Sequence, residues 1–239
     1  MKLIIFIFTF FTLTTLSAQN VNNKDLLDKW VAGQTITDET LHEFGIENCF
    51  KSHEISPEIF NRIKGLSYKD NCTVPLTDLN YIKVLHYNID DEICIGEMIC
   101  HHSISKDLLQ IFRTLFDAHY PIERMVLVDN YNAEDELSMM ANNSSGFNFR
   151  FVSGTTRLSN HSLGLAVDIN PLYNPYVKTV NNKVIVEPAE STKYVNRDNN
   201  FPYKIEYNDL CYKEFTKHGF TWGGNWKSVK DYQHFEKKP

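Results

Sequence analysis

The chain has 239 residues, and its 24 Lys and Arg against 30 Asp and Glu leave a formal charge of −6 spread along its length. That mild acidity excludes a nucleic-acid partner recognised through a basic face, which needs clustered cations. Beyond the first residues no stretch is apolar for the ~20 positions that span a bilayer, and the length suits one domain with a real core.

In chain order, Met1-Lys2 precedes an uncharged run over residues 3–16 and the small residues Ser17 and Ala18. A basic start, a short apolar stretch and a small-residue exit predict a secretory signal peptide over 1–18. The run is too short and too rich in Thr for a membrane anchor, and no Cys stands near the exit to carry a lipid. The expectation is an exported protein, periplasmic or extracellular. Residues 19–74 are polar and irregular, with helices predicted at 24–31 and 57–64. They read as an N-terminal extension packed on a main domain over 75–239.

After Pro75 the signals sharpen. Strands are predicted at 81–89 and 93–100, with Asp90-Asp91 turning between them. Over 106–119, Leu108, Leu109, Phe112, Leu115 and Phe116 recur at helical spacing, and Pro121 stops the helix. Short strands follow at 125–128, 147–152 and 165–169, with a hairpin arm at 184–186. A helix at 208–217 closes at Gly219, and a last strand covers 232–236. Strands paired with near neighbours and helices set to one side predict an α+β fold, a small antiparallel sheet flanked by helices. A monomer is expected.

Five cysteines, Cys49, Cys72, Cys94, Cys100 and Cys211, leave at least one unpaired after export. Cys94 and Cys100 share one face of a single strand and cannot join, whereas a Cys49 to Cys72 bridge stays open. None has the close C-x-x-C spacing of a structural zinc knuckle.

The chemistry concentrates in two phrases: Ser159-Asn160-His161-Ser162-Leu163-Gly164-Leu165-Ala166-Val167-Asp168, and Asp231-Tyr232-Gln233-His234-Phe235-Glu236. Two imidazoles and a carboxylate are the ligand set of a catalytic zinc site whose fourth position is left to water. His161, Asp168 and His234 are the candidate ligands, and Asp231 is free to act on that water. The plainer alternative for His161 and Asp168 is a loop imidazole hydrogen-bonded to a nearby carboxylate. Gly164 permits an unusual dihedral or a close backbone approach beside the ligand. Strand alternation sets Tyr232, His234 and Glu236 on one side, so Asp231 belongs to the turn leading in. Trp222-Gly223-Gly224-Asn225-Trp226 reads equally as a cleft wall or as core. His101, His102 and His218 read as structural or solvated.

Together, S-x-H-x-x-G-x-A-x-D and D-x-x-H-F-E resemble the zinc D-alanyl-D-alanine carboxypeptidase and L-alanyl-D-glutamate endopeptidase family, whose fold is shared with hedgehog and lysostaphin-type domains. The likeness runs from Pro75 to Glu236, through Tyr120-Pro121-Ile122, residues 135–139, residues 143–150, Asn170-Pro171 and residues 219–224. It implies that His161, Asp168 and His234 hold zinc and that Asp231 is the general base. It also implies that Arg150 lies near the scissile carbonyl and that Ser159 faces the substrate, while Trp222, read as a cleft wall, is a further candidate for substrate binding. Relatives such as the vancomycin-resistance dipeptidases carry Glu at the base position, and the phage endopeptidase branch carries Asp. The shorter Asp231 therefore puts dipeptidase specificity in question, but not hydrolysis. The implied substrate is a peptidoglycan stem peptide. A zinc-stabilised binding domain without turnover is the alternative on the same fold, and a wall-binding protein lacks any recognisable repeat.

Overall fold

The computed structural model describes residues 23–152 and 155–238. The predicted signal peptide lies outside the described residues. None of the described helices is long and apolar enough to cross a membrane.

The N-terminal part contains α1 (Asn23–Asp28), β1 (Thr35–Ile36), α2 (Asp38–Phe44), β2 (Lys51–Glu54) and α3 (Pro57–Ile63). Ser56 caps α3, its hydroxyl accepting from the Ile59 amide at 3.2 Å, with Pro57 in the first turn where its missing N–H costs nothing. The central hairpin joins β3 (Leu79–Tyr87) to β4 (Ile93–His101). At its turn the Asn88 side-chain oxygen accepts from the amides of Asp90 and Glu92 at 3.0 Å each, and Asp91 takes a left-handed conformation. The sheet order β1-β4-β3-β2 makes the segment before Pro75 the source of both edge strands.

Both faces of this hairpin are covered, so nearly all of its residues are buried. Successive side chains of a strand point to opposite faces. Ile82, Val84, Met98 and Cys100 pack with α4 (His102–Asp117), while Leu79, Tyr81, Leu85, Ile95 and Ile99 pack with Leu27, Trp30 and Ile63 of the N-terminal segment. The helix α4 starts four residues before the sequence places it. His101, not a conventional cap residue, accepts the Ser103 amide on its ring Nδ1 at 3.1 Å.

The remaining elements are α5 (Asp135–Met140), β5 (Ala166–Asp168), β6 (Tyr176–Val180), β7 (Lys183–Glu187), α6 (Leu210–Lys217), β8 (Thr221–Trp222), β9 (Lys230–Asp231) and β10 (His234–Glu236). They build two further antiparallel sheets, ordered β5-β10-β8 and β7-β6-β9. The architecture is α+β, with its strands divided among three small sheets. Phe215 of α6 stacks on Phe235 of β10 with ring centroids 4.2 Å apart, and both are fully buried. Each such burial contributes about 1.5–3 kcal/mol and fixes β10 against the core.

Three expectations need correction, and the open question of a Cys49 to Cys72 bridge is answered. Residues 125–128 are buried but form no ladder, and 147–152 run irregularly because their hydrogen bonds go to several partners. The Phe147 amide donates to Ile99 of β4, that of Asn148 to His161, and that of Phe149 to Ser67. The last strand is shorter than 232–236, since the chain changes sheets between Asp231 and His234. All five cysteines are free, with the Cys49 and Cys72 thiols directed at the backbone oxygens of Gly45 and Val74.

Glu97 of β4 is 1% exposed and accepts from Arg62 of α3 at 2.8 and 2.5 Å and from the Tyr81 hydroxyl at 2.6 Å. This pair ties the N-terminal segment to the central hairpin. Arg62→Ala would strand the carboxylate, so urea unfolding should show a loss of about 3 kcal/mol, the lower end for breaking a buried pair because Arg62 is partly in solvent.

Candidate metal centre

Three elements bring the ligands together. His161 lies in a 3-10 turn, Asn160–Leu163, whose N-cap is Ser159. The Ser159 hydroxyl accepts from the His161 amide at 3.3 Å. Gly164 closes that turn at φ +66°, and a Cβ there would meet the His101 amide nitrogen at 2.6 Å, so both reasons for a glycine apply. Its own carbonyl accepts from that amide at 2.8 Å, which binds the turn to the end of β4. Asp168 ends β5 and His234 begins β10, and the two are direct cross-strand partners.

Nε2 of His161 lies 3.1 Å from Asp168 Oδ2 and 3.2 Å from Nδ1 of His234, which is itself 3.1 Å from Asp168 Oδ1. The three side chains are at most 7% exposed. Four donors at ~2.0–2.1 Å around a tetrahedral metal are roughly 3.3 Å apart, so these edges fit such an ion. Among the described residues this is the group of His, Cys, Asp and Glu able to hold a metal. The outer ring nitrogens are also engaged. His161 Nδ1–H donates to the Gly146 carbonyl at 2.7 Å, and His234 Nε2–H to Glu236 at 3.1 Å. Each bond fixes the tautomer that leaves the inner nitrogen as a ligand. Asn160 in turn donates to Glu236 at 2.5 Å.

Charge follows the geometry. Burial opposes ionisation of Asp168, but His161 and then His234 outweigh it and hold the carboxyl far below its usual range. Burial likewise opposes the charged form of His234, yet its hydrogen bonds to Asp168 and Glu236 push it up to about 10. Without a cation the cluster therefore holds a proton, which a metal must displace.

Asp231 sits beside the ligands on β9. Gly223 makes that possible, since a Cβ on it would come within 2.6 Å of the Asp231 carbonyl oxygen and 2.8 Å of its Cβ. Oδ1 of Asp231 is buried and has no hydrogen-bond partner among the described residues. Burial pushes its pKa up to about 7, against the lowering effect of His234 and with a further rise from Asp168.

The other expected site residues have surroundings of their own. Arg150 has a carboxylate partner of its own, with Nη2 at 2.8 Å from Asp135 of α5, and its Nε is buried without a partner among the described residues. Ser159 is 6% exposed and its hydroxyl is used in the cap. Trp222 belongs to the core, with its indole N–H on the Tyr232 carbonyl at 2.8 Å. The indole beside the centre is that of Trp226, 5.2 Å from the His234 ring. Its aromatic character was visible in the sequence, but two Trp in one short phrase look alike until their neighbours are known. Gly146 and Glu236 stood inside the motif text, yet their role depends on which ring nitrogen faces inward. His218 meets Asp107 at the end of α6, away from the centre.

Glu236→Gln should leave the fold intact and weaken metal binding by roughly 10–100-fold, the usual cost of losing an outer carboxylate. Competition with a chromogenic chelator measures it, and unchanged affinity would remove Glu236 from the site.

Over residues 153–237 the chain matches a family model described as D-alanyl-D-alanine carboxypeptidase. No curated protein and no solved structure matches it. The matched stretch holds His161, Asp168, Asp231 and His234, while Arg150 lies just before it. The resemblance of this chain to the D-alanyl-D-alanine carboxypeptidase family is thereby shown across the segment that carries the three candidate ligands.

Proposed function

We propose that the chain is an exported, zinc-dependent peptidase that hydrolyses peptide bonds in peptidoglycan stem peptides, of the D-Ala-D-Ala carboxypeptidase or L-Ala-D-Glu endopeptidase type. The observation that carries this reading is the buried, unpartnered Oδ1 of Asp231 next to three converging ligands. A purely structural zinc site closes its coordination with a fourth protein ligand and has no use for a carboxylate kept dry and idle at its edge. The family match and the predicted leader support hydrolysis of wall peptides outside the cytoplasm.

Zinc, when bound, would supply the Lewis acid that lowers the pKa of water from 15.7 toward ~7 and polarises the scissile carbonyl. The chain's own groups do the rest. Asp231 takes the proton of the attacking water and returns it to the departing amine nitrogen. Burial raises its pKa, which favours uptake of the proton. Arg150 spends one arm of its guanidinium on Asp135, which orients the planar fork of donors that it would offer a substrate oxygen. His161 and His234 are fixed by Gly146 and Glu236, so the inner face of the centre does not reorganise during the reaction.

The mature protein should contain about one zinc per chain by elemental analysis, and His161→Ala or His234→Ala should abolish it. Retention of stoichiometric zinc in either would defeat the ligand assignment. Asp231→Asn should keep the metal and lose roughly 10²–10⁴-fold in rate on purified muropeptides, with products weighed by mass spectrometry. Loss of a terminal D-Ala would define a carboxypeptidase, and a cut within the stem an endopeptidase. A zinc-loaded wild type inert on both would leave the binding-domain alternative.

The pH profile has a fixed sign. Asp231 works deprotonated and its pKa is raised, so kcat/KM should fall as pH drops through an apparent pKa no higher than about 7, because a bound cation lowers that value. An acidic limb that persists unchanged in the residual activity of Asp231→Asn would assign the proton elsewhere.

A further inference from the structure

The third sheet runs β7-β6-β9, and its register sets Glu187 opposite Tyr176 and Tyr176 opposite Asp231. Direct partners in an antiparallel sheet share a face, with Cβ atoms about 4.5–5.5 Å apart. That face is the one Asp231 turns toward the centre, since its carboxyl feels His234, Asp168 and His161. On the other side, Glu187 feels Glu136, Asp135 and Arg150. Arg150 and Asp231, remote in sequence, are thus the two ends of one polar wall, and Tyr176 stands in its middle.

Tyr176 is half-buried. Burial, then Glu187 and Asp231, hold its phenol above its ordinary pKa, so it keeps its proton. Either flanking carboxylate could accept that proton in a hydrogen bond, yet the hydroxyl makes none among the described residues. Resting on the hydrolytic reading above, we infer that Tyr176 contacts the substrate and that its hydroxyl donates to the scissile carbonyl oxygen as negative charge builds there. Two carboxylates oppose charge at that place unless a donor meets it, and the residue between them carries one. Donors held ready in a water-poor site are the usual means of stabilising such an oxygen. Arg150, already shared with Asp135, is the more distant donor on the wall from the base.

Tyr176→Phe removes one oxygen and keeps the ring. The zinc-loaded variant should match wild type in metal content and melting temperature, keep KM within a few-fold, and lose roughly 10²–10³-fold in kcat, the scale of one oxyanion donor. Binding gives a readout independent of turnover. A phosphinate pseudopeptide places a tetrahedral P–O oxygen where the charged oxygen would form, and the variant should bind it less tightly by a similar factor. A thiol-bearing peptide, which lacks that oxygen, should bind both proteins equally. Wild-type kcat in the variant, a change confined to KM, or equal phosphinate affinity would overturn the assignment. A zinc-loaded wild type that neither hydrolyses stem peptides nor binds the phosphinate sinks the hydrolytic reading and the assignment with it. An active wild type with an indifferent variant sinks the Tyr176 assignment alone.

Discussion

The centre depends on one register, the pairing of β5 with β10 that sets Asp168 opposite His234. The Ile169 amide donates to the Gln233 carbonyl, and the Lys237 amide to that of Leu165. Because hydrogen-bonded pairs alternate with open ones, Asp168 and His234 form an open pair, the kind whose Cα atoms approach to ~4.5 Å. Their side chains are therefore forced onto one face at close range, where two acceptors without a cation or a proton would repel. A slip of one residue would send His234 into the core and Phe235 into the centre. The stacking of Phe235 on Phe215 prevents it, so apolar packing secures the metal geometry.

His161 enters this frame through backbone that belongs to no regular element. Ser145 exchanges both of its backbone hydrogen bonds with Asp168, the next residue accepts from the His161 ring, and the Asn148 amide donates to the His161 carbonyl. Regular ladders spend their hydrogen bonds on a single neighbour. Residues 143–149 distribute theirs among β4, β5 and the His161 turn, and so connect the first sheet to the second at the ligands. The N-terminal segment contributes from a distance, since the edge strands and the Arg62–Glu97 pair hold the hairpin from which this segment hangs.

Electrostatically the centre is a cluster where acidic groups exceed what two imidazoles can balance. Asp168, Asp231 and Glu236 surround His161 and His234. The imbalance has two consequences. It pulls a proton onto His234 when no cation is present, and through Asp168 it adds to the rise that burial already gives the pKa of Asp231, whose Oδ1 has no hydrogen-bond partner among the described residues. The same excess of negative charge favours a divalent ion.

By itself the sequence determined the elements whose signal is local: the hairpin over β3 and β4, the apolar stripe of α4, the helix α6 and the two motifs that carry the candidate ligands. Their information lies in short-range periodicity and in residue types with few alternative uses. It did not contain the partner of Arg150, the choice between Trp222 and Trp226, the irregular course of 147–152 or the placement of Tyr176 beside Asp231. Those were decided by tertiary structure, because each depends on which distant backbone or carboxylate arrives at a given distance. A hydrogen-bonding group announces its chemistry in the sequence, but its partner is chosen only when the sheets close around it.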